Sequence, residues 1–210
     1  MLEVHHLNNS RSQRVLWLLE ELGTPYRIVH YQRDAQTMLA PPSLKAIHPL
    51  GKSPVIRDGE QVVAESGAIL EYLVDRYGNG RFAPARGTAA FESYRYWMHY
   101  AEGSMMTPLL VKLYLGRLGD AAKALVERVD AQIQMHLAFV EESLGSKTFL
   151  TGEDFTAADI QMSFPVEVTA TQSALNEHHP QLRAWLKRLH QRSAYQRALE
   201  KGGPYAYARD

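Results

Sequence analysis

The sequence predicts an α/β domain over residues 1–77, a linker at 78–87 and an all-α helical bundle over 88–210. Two observations carry this. Short β-branched runs alternate with one strongly periodic apolar segment up to Tyr77, whereas beyond Gly87 the apolar residues recur almost only at helical spacing. Between them, Gly78-Asn79-Gly80-Arg81-Phe82-Ala83-Pro84-Ala85-Arg86-Gly87 concentrates glycine and proline as a linker does.

In chain order, Leu2 to Leu7 reads as a strand, Asn8-Asn9-Ser10 as a polar turn, and Val15, Leu16, Leu18, Leu19 and Leu22 as the apolar stripe of a helix stopped by Gly23 and Pro25. Tyr26 to Tyr31 alternates as a second strand, so strand, helix and strand suggest a parallel βαβ unit. After an irregular stretch holding Pro41-Pro42, the runs Ser53–Arg57 and Gln61–Ala64 flank Asp58-Gly59 as an antiparallel hairpin. A helix then starts at Ser66, which is read as its N-cap, with Ile69, Leu70, Leu73 and Val74 on one face.

In the helical half, Thr88 to about Leu115 is rich in aromatics and methionine and is expected to bend near Pro108. Asp120 to Leu144 carries Leu125, Val129, Ile133, Leu137, Val140 and Leu144 as one bundle-facing stripe. Thr156-Ala157-Ala158-Asp159 has the spacing of a capping box, and Pro165 should bend or end the helix that follows. Pro180 opens another helix, Ser193 to Lys201 forms a last short one, and the tail with Tyr205 and Tyr207 shows no periodicity. The two tyrosines are read either as a cover for a pocket or as a disordered tail.

Composition narrows the functions. The 23 basic residues equal the 23 acidic ones, with no basic run, so neither a nucleic acid nor an anionic membrane is the expected partner. Cysteine is absent, which removes disulfides, thiolate metal sites and a protein thiol nucleophile. The histidines show no metal-ligand spacing, and no metal is expected. Nothing at the N-terminus resembles a signal peptide and no apolar run is long enough to span a membrane, so the expected location is cytoplasmic. One pair stands out chemically: the exposed N–H groups of a helix starting at Ser66 attract a carboxylate, and Glu65 just before it attracts an ammonium group, which together suit an α-amino acid head.

Four segments resemble a known family in both content and order. They are Asn8-Asn9-Ser10-Arg11-Ser12-Gln13-Arg14-Val15, His48-Pro49-Leu50-Gly51-Lys52-Ser53-Pro54-Val55, Glu65-Ser66-Gly67-Ala68-Ile69 and Phe155-Thr156-Ala157-Ala158-Asp159. The chain is similar to the cytosolic glutathione S-transferases, in particular the bacterial and fungal, serine-like branch whose first helix reads Ser-Arg-x-x-Arg-x-Leu-Trp-Leu-Leu, here Ser10 to Leu19. The resemblance implies a thioredoxin-like first domain, glutathione as co-substrate, a small hydrophobic electrophile, a role in detoxification and a homodimer. It also implies Pro54 as a cis-proline and a glutathione site made of Lys52, Ser53, the main chain of Val55, Glu65 and Ser66. Thr156 and Asp159 are then structural, and Tyr100 and Met105 are the residues picked for the electrophile pocket.

The activating group departs from the family's tyrosine, serine or cysteine pattern. A thiol of pKa near ~8.5 needs roughly 2.7 kcal/mol of preferential thiolate stabilisation to fall by about two units. The family's serine position falls on Asn9, with Ser10 next and Ser12 beyond. Ser10 is ranked first, Asn9 second and Ser12 third. If Ser10 only caps the helix, the Asn9 amide and the backbone N–H groups are left to hold the thiolate. The same thiolate would also serve glutathione-dependent peroxidase chemistry. The alternative from another class is a non-catalytic ligand-binding or protein-interaction module on the same fold.

Overall fold

A computed structural model describes residues 1–208. Its strands are β1 (Leu2–Leu7), β2 (Tyr26–Tyr31), β3 (Val55–Asp58) and β4 (Gln61–Ala64), and its α-helices α1 (Ser12–Leu22), α2 (Ser66–Tyr77), α3 (Ala89–Tyr100), α4 (Met106–Leu115), α5 (Lys123–Leu144), α6 (Ala157–Thr171), α7 (Pro180–His190) and α8 (Ser193–Gly202). Two compact units result: Met1–Ala83 with His190–Ala208, and Pro84–Leu189.

In the first unit the strands form one sheet in the order β2-β1-β3-β4. β1 pairs parallel with β2, which a crossover through α1 makes possible, and antiparallel with β3, which in turn pairs antiparallel with β4. α1 is buried on nearly every side, including its polar residues Ser12, Gln13 and Arg14. The reason is α8: chain order groups this helix with the helical half, but it packs on α1, where Tyr195 meets Trp17 edge-on with ring centroids 5.0 Å apart. Arg192 pairs with Glu21, and Arg197 and Lys201 pair with Glu20, so the outer edge of α1 is tied by charge as well as by packing. Burying a large apolar side chain contributes roughly 1.5–3 kcal/mol, and α1 supplies Val15, Leu16, Trp17, Leu18, Leu19 and Leu22. Gly23 ends α1 with φ +69, the left-handed conformation glycine adopts without strain.

In the second unit α6 is buried all round, and α3 and α4 pack against it. Two expectations become specific here and one changes. The long first helix breaks at a π turn over Ala101–Met105, ahead of Pro108, which lies in the first turn of α4; the wider turn accommodates a ring that would otherwise press on the carbonyl four residues back. Pro165 does not end its helix, which runs on to Thr171 and is buried on every face. Leu125 is exposed, because α5 begins at Lys123 and its stripe becomes buried only from Val129 onward. The capping box forms as read: the Thr156 side chain accepts from the Asp159 backbone N–H, and the Asp159 carboxylate accepts from the Thr156 N–H.

No helix among the described residues is long and apolar enough to cross a membrane.

Candidate active site

The residues singled out in the α/β half meet in the first unit through the sheet order. β1 and β3 are neighbours, so the turn leaving β1 lies beside the loop entering β3; His5 stands opposite Val55, and Ser53 Oγ donates to the His5 carbonyl at 2.8 Å. The Ser53-Pro54 peptide is cis. Val55 is in register with His5 on one side and Ala64 on the other, and its N–H and C=O point together toward one of these two strands. Ser53 lies just outside the ladder, so its main chain is not committed to strand pairing.

Ser10, ranked first as thiol activator, is 4% exposed and turned inward. Its Oγ accepts from the Ser12 N–H at 3.2 Å and lies 2.7 Å from Ser12 Oγ, which lies 2.8 Å from His6 Nδ1 and accepts from the Leu7 N–H at 3.2 Å. Proton bookkeeping gives this chain a direction. Burial, with repulsion from His30, lowers the His6 pKa to about 4, so the ring is neutral near pH 7 and carries one proton. The Gly202 carbonyl can only accept from that ring, and the single Ser12 hydroxyl proton already has two acceptors in reach, His6 Nδ1 at 2.8 Å and the Leu7 carbonyl at 3.2 Å. Ser12 therefore receives the Ser10 proton, and both serine hydroxyls are engaged inside the protein. Ser10 acts as a capping group for α1, and Ser12, fully buried, is structural.

Asn9 has a different arrangement. Its φ of +49 lies in the left-handed region that asparagine tolerates. Arg33 Nη2 donates to its carbonyl at 3.2 Å, and the Ala206 N–H donates to its Oδ1 at 2.7 Å. A backbone N–H can only donate, so the amide oxygen must face Ala206 and the NH2 group must face away. Among the described residues that NH2 group makes no hydrogen bond. Arg33 further accepts nothing and donates widely: Nε to the Asn8 carbonyl at 3.3 Å and Nη1 to the Met38 carbonyl at 3.0 Å, while its own N–H is capped by Asn8 Oδ1 at 2.9 Å. Burial lowers the Arg33 pKa from the ordinary arginine value without removing its charge.

At the other end of the ridge, α2 starts at Ser66, but Ser66 is not the cap. Glu65 occupies the cap position with φ +69 and ψ 120, a conformation rarely held by a non-glycine residue unless its surroundings enforce it. The Ser66 hydroxyl accepts from Arg14 Nη2 at 2.9 Å, with both side chains buried. Its oxygen thus occupied by a cation, the hydroxyl has its proton to give, and it opens the helix whose N–H groups favour a carboxylate. Glu65 and Lys52 are exposed and make no ion pair among the described residues. Arg14, which holds Ser66, and Arg33, which holds the Asn9 carbonyl, are side chains the sequence reading passed over; the signal for Arg14 was a charge on an otherwise apolar helix face.

In the second unit Tyr100 and Met105 part company. Tyr100 hydrogen-bonds His136 Nδ1 and lines a groove of about 600 Å³ with Glu92, Arg95, Tyr96, His99 and Ser104. Burial, with Tyr96 adding repulsion, pushes its phenol up to about 12, so it remains a neutral donor. Met105 is 1% exposed in the core and does not line the groove. Asp159 is fully buried and accepts from the Leu150 N–H, the Thr156 N–H and Trp185 Nε1, each at 3.0 Å. Burial raises its pKa, and these donors oppose the rise. Among the described residues no three or more His, Cys, Asp or Glu side chains cluster as metal ligands.

Two family models match the chain: the glutathione S-transferase N-terminal domain over residues 3–75 and the glutathione S-transferase C-terminal domain over residues 84–193. Glutathione S-transferase 3 of Schizosaccharomyces pombe is 33% identical, the match covering 96% of this chain and 88% of that protein. Glutathione S-transferase 1 of Saccharomyces cerevisiae is 30% identical, over 96% of this chain and 95% of that one. Among solved structures, a glutathione S-transferase from Actinobacillus pleuropneumoniae superposes with a TM-score of 0.88 at 37% identity, covering 100% of this chain and 97% of the other. A Sulfitobacter homologue with bound glutathione shares the fold, with a TM-score of 0.83 at 22% identity over 96% and 98% of the two chains.

Proposed function

The chain belongs to the glutathione S-transferase family and is a glutathione transferase with glutathione as co-substrate, and from that premise we propose that it adds the glutathione thiolate to small hydrophobic electrophiles with Asn9 as the thiol-activating side chain. The observation that carries the Asn9 assignment is the amide NH2, oriented by Ala206 and otherwise unpartnered, beside two serines whose protons are already engaged. A hydrogen bond to a charged acceptor contributes about 1.5–3 kcal/mol, which is one to two units of thiol pKa.

The rest of the site follows the chemistry of the tripeptide. Glu65 takes the γ-glutamyl ammonium, and Ser66, with the α2 N-terminus, takes the γ-glutamyl carboxylate. Ser53 offers its main chain to the cysteinyl part, and Lys52 takes the glycyl carboxylate. Catalysis then rests on positioning and thiolate stabilisation, the thiolate sulfur attacking the electrophilic atom. Residues 1–77 bind glutathione, 78–87 link, and the helical segment from 88 onward supplies the electrophile pocket, with Tyr100 in its groove. Peroxide reduction by the same thiolate and a detoxifying role in the cytoplasm belong to this reading. A homodimer is supported by exposed apolar side chains on α3 and α5, where Tyr96 is 48%, Phe139 40% and Met135 60% exposed. Sedimentation at micromolar concentration tests it, and a monomer would remove it.

The direct test follows the ultraviolet absorbance of the bound thiolate against pH. Asn9→Asp keeps an acceptor for Ala206 but puts a carboxylate where the NH2 was, and should raise the bound thiol's pKa by at least roughly one unit. Ser10→Ala should leave it nearly unchanged. The opposite pattern returns the role to Ser10.

A further inference from the structure

The C-terminal segment belongs to the first unit although chain order places it after the helical half. α8 ends at Gly202, Gly203 has φ +82, and the chain folds back to bring the Ala206 N–H to Asn9 Oδ1. Tyr205 and Tyr207 flank that contact with their rings edge to face, centroids 5.4 Å apart. The tail is therefore neither disordered nor remote from the chemistry. Asn9 is gripped twice, at its carbonyl by Arg33 and at its side chain by Ala206.

We propose that residues 203–208 are a positioning element for thiol activation, in which the Ala206 N–H selects the one Asn9 amide orientation that presents NH2 to the glutathione sulfur. The inference rests on Asn9 being the activator. An amide carries opposite polarity on its two faces, and a χ2 rotation of about 180° exchanges them. With Ala206 donating, the exchanged form sets donor against donor and is disfavoured. Without it, the amide samples both forms, and the exchanged one turns its oxygen toward the thiolate. Ala206 touches no substrate; it acts through Asn9.

Ala206→Pro deletes the N–H while retaining the chain. It should raise the pKa of bound glutathione's thiol by roughly one unit and lower kcat at neutral pH several-fold, with KM for glutathione unchanged. Asn9→Gly keeps the left-handed turn and removes the amide. It should raise the same pKa, and adding Ala206→Pro to it should change nothing more. If Asn9→Gly raises the thiol pKa and Ala206→Pro does not, the tail has no positioning role and Asn9 still activates. If Asn9→Gly leaves the thiol pKa unchanged, the Asn9 assignment itself falls, and this inference with it. A chain ending at Gly203 provides a second variant lacking the donor: the same shift is expected, and a wild-type thiol pKa would overturn the proposal.

Discussion

At the start of α6, Asp159 and Thr156 satisfy every donor they meet; at the starts of α1 and α2, polar groups remain directed at nothing in the protein. Both regions use buried side chains to organise a helix N-terminus. Asp159 receives Leu150, Thr156 and Trp185 and has no capacity left for a ligand. In the α/β unit, Ser12 and His6 are just as closed, but they bring to the surface an Asn9 amide with an unpartnered NH2 and a Ser66 hydroxyl with its proton to give. The closed network makes structure, and the open one makes a site.

The largest expected effect tests the closed side. Asp159→Ala orphans two buried backbone N–H groups and the Trp185 indole, and should cost about 3 kcal/mol or more in urea unfolding. Any protein that stays folded should bind glutathione with wild-type affinity. Wild-type stability would mean that water or rearrangement satisfies those donors.

The next effect separates the two regions by pH. His6 has a folded pKa of about 4 against roughly 6.5 for an unfolded histidine, so burial favours its neutral form. The stability this gives is fully present above about pH 6.5 and is lost as pH falls toward 4, up to about 3 kcal/mol. Unfolding free energies measured across that window should fall in the wild type and fall less in His6→Gln. Equal slopes would place the titrating group elsewhere.

A smaller effect, read in binding rather than stability, belongs to the open side. Ser66→Ala should weaken glutathione binding roughly tenfold by calorimetry, and it also leaves Arg14 without that acceptor. An unchanged dissociation constant would remove Ser66 from the carboxylate site.

Much of the fold was legible because local signals agreed with one another. The β1 and β2 alternation, the α1 stripe ended by Gly23, the hairpin turn and the Thr156–Asp159 box all express short-range chemistry, and each formed. The site residues were legible by segment but not by role. Ser66 reads as a cap from its neighbours, yet Arg14, 52 positions away, takes its oxygen while Glu65 takes the cap position. Val55 reads as a ligand-facing main chain, and only pairing shows that it is a strand residue in register with His5 and Ala64 while Ser53 lies outside the ladder.

By itself, then, the sequence determined two regions of different secondary structure, the elements within them, and the short polar segments that match the family's motifs. Only the tertiary structure decided where each proton points. The Ser10 hydroxyl faces inward because Ser12, its own proton engaged by His6 and the Leu7 carbonyl, is there to accept it, and the Asn9 amide faces outward because Ala206, 197 positions later, holds its oxygen. Hydrogen bonds between such distant residues leave no periodicity in the sequence, since their partners are chosen by packing.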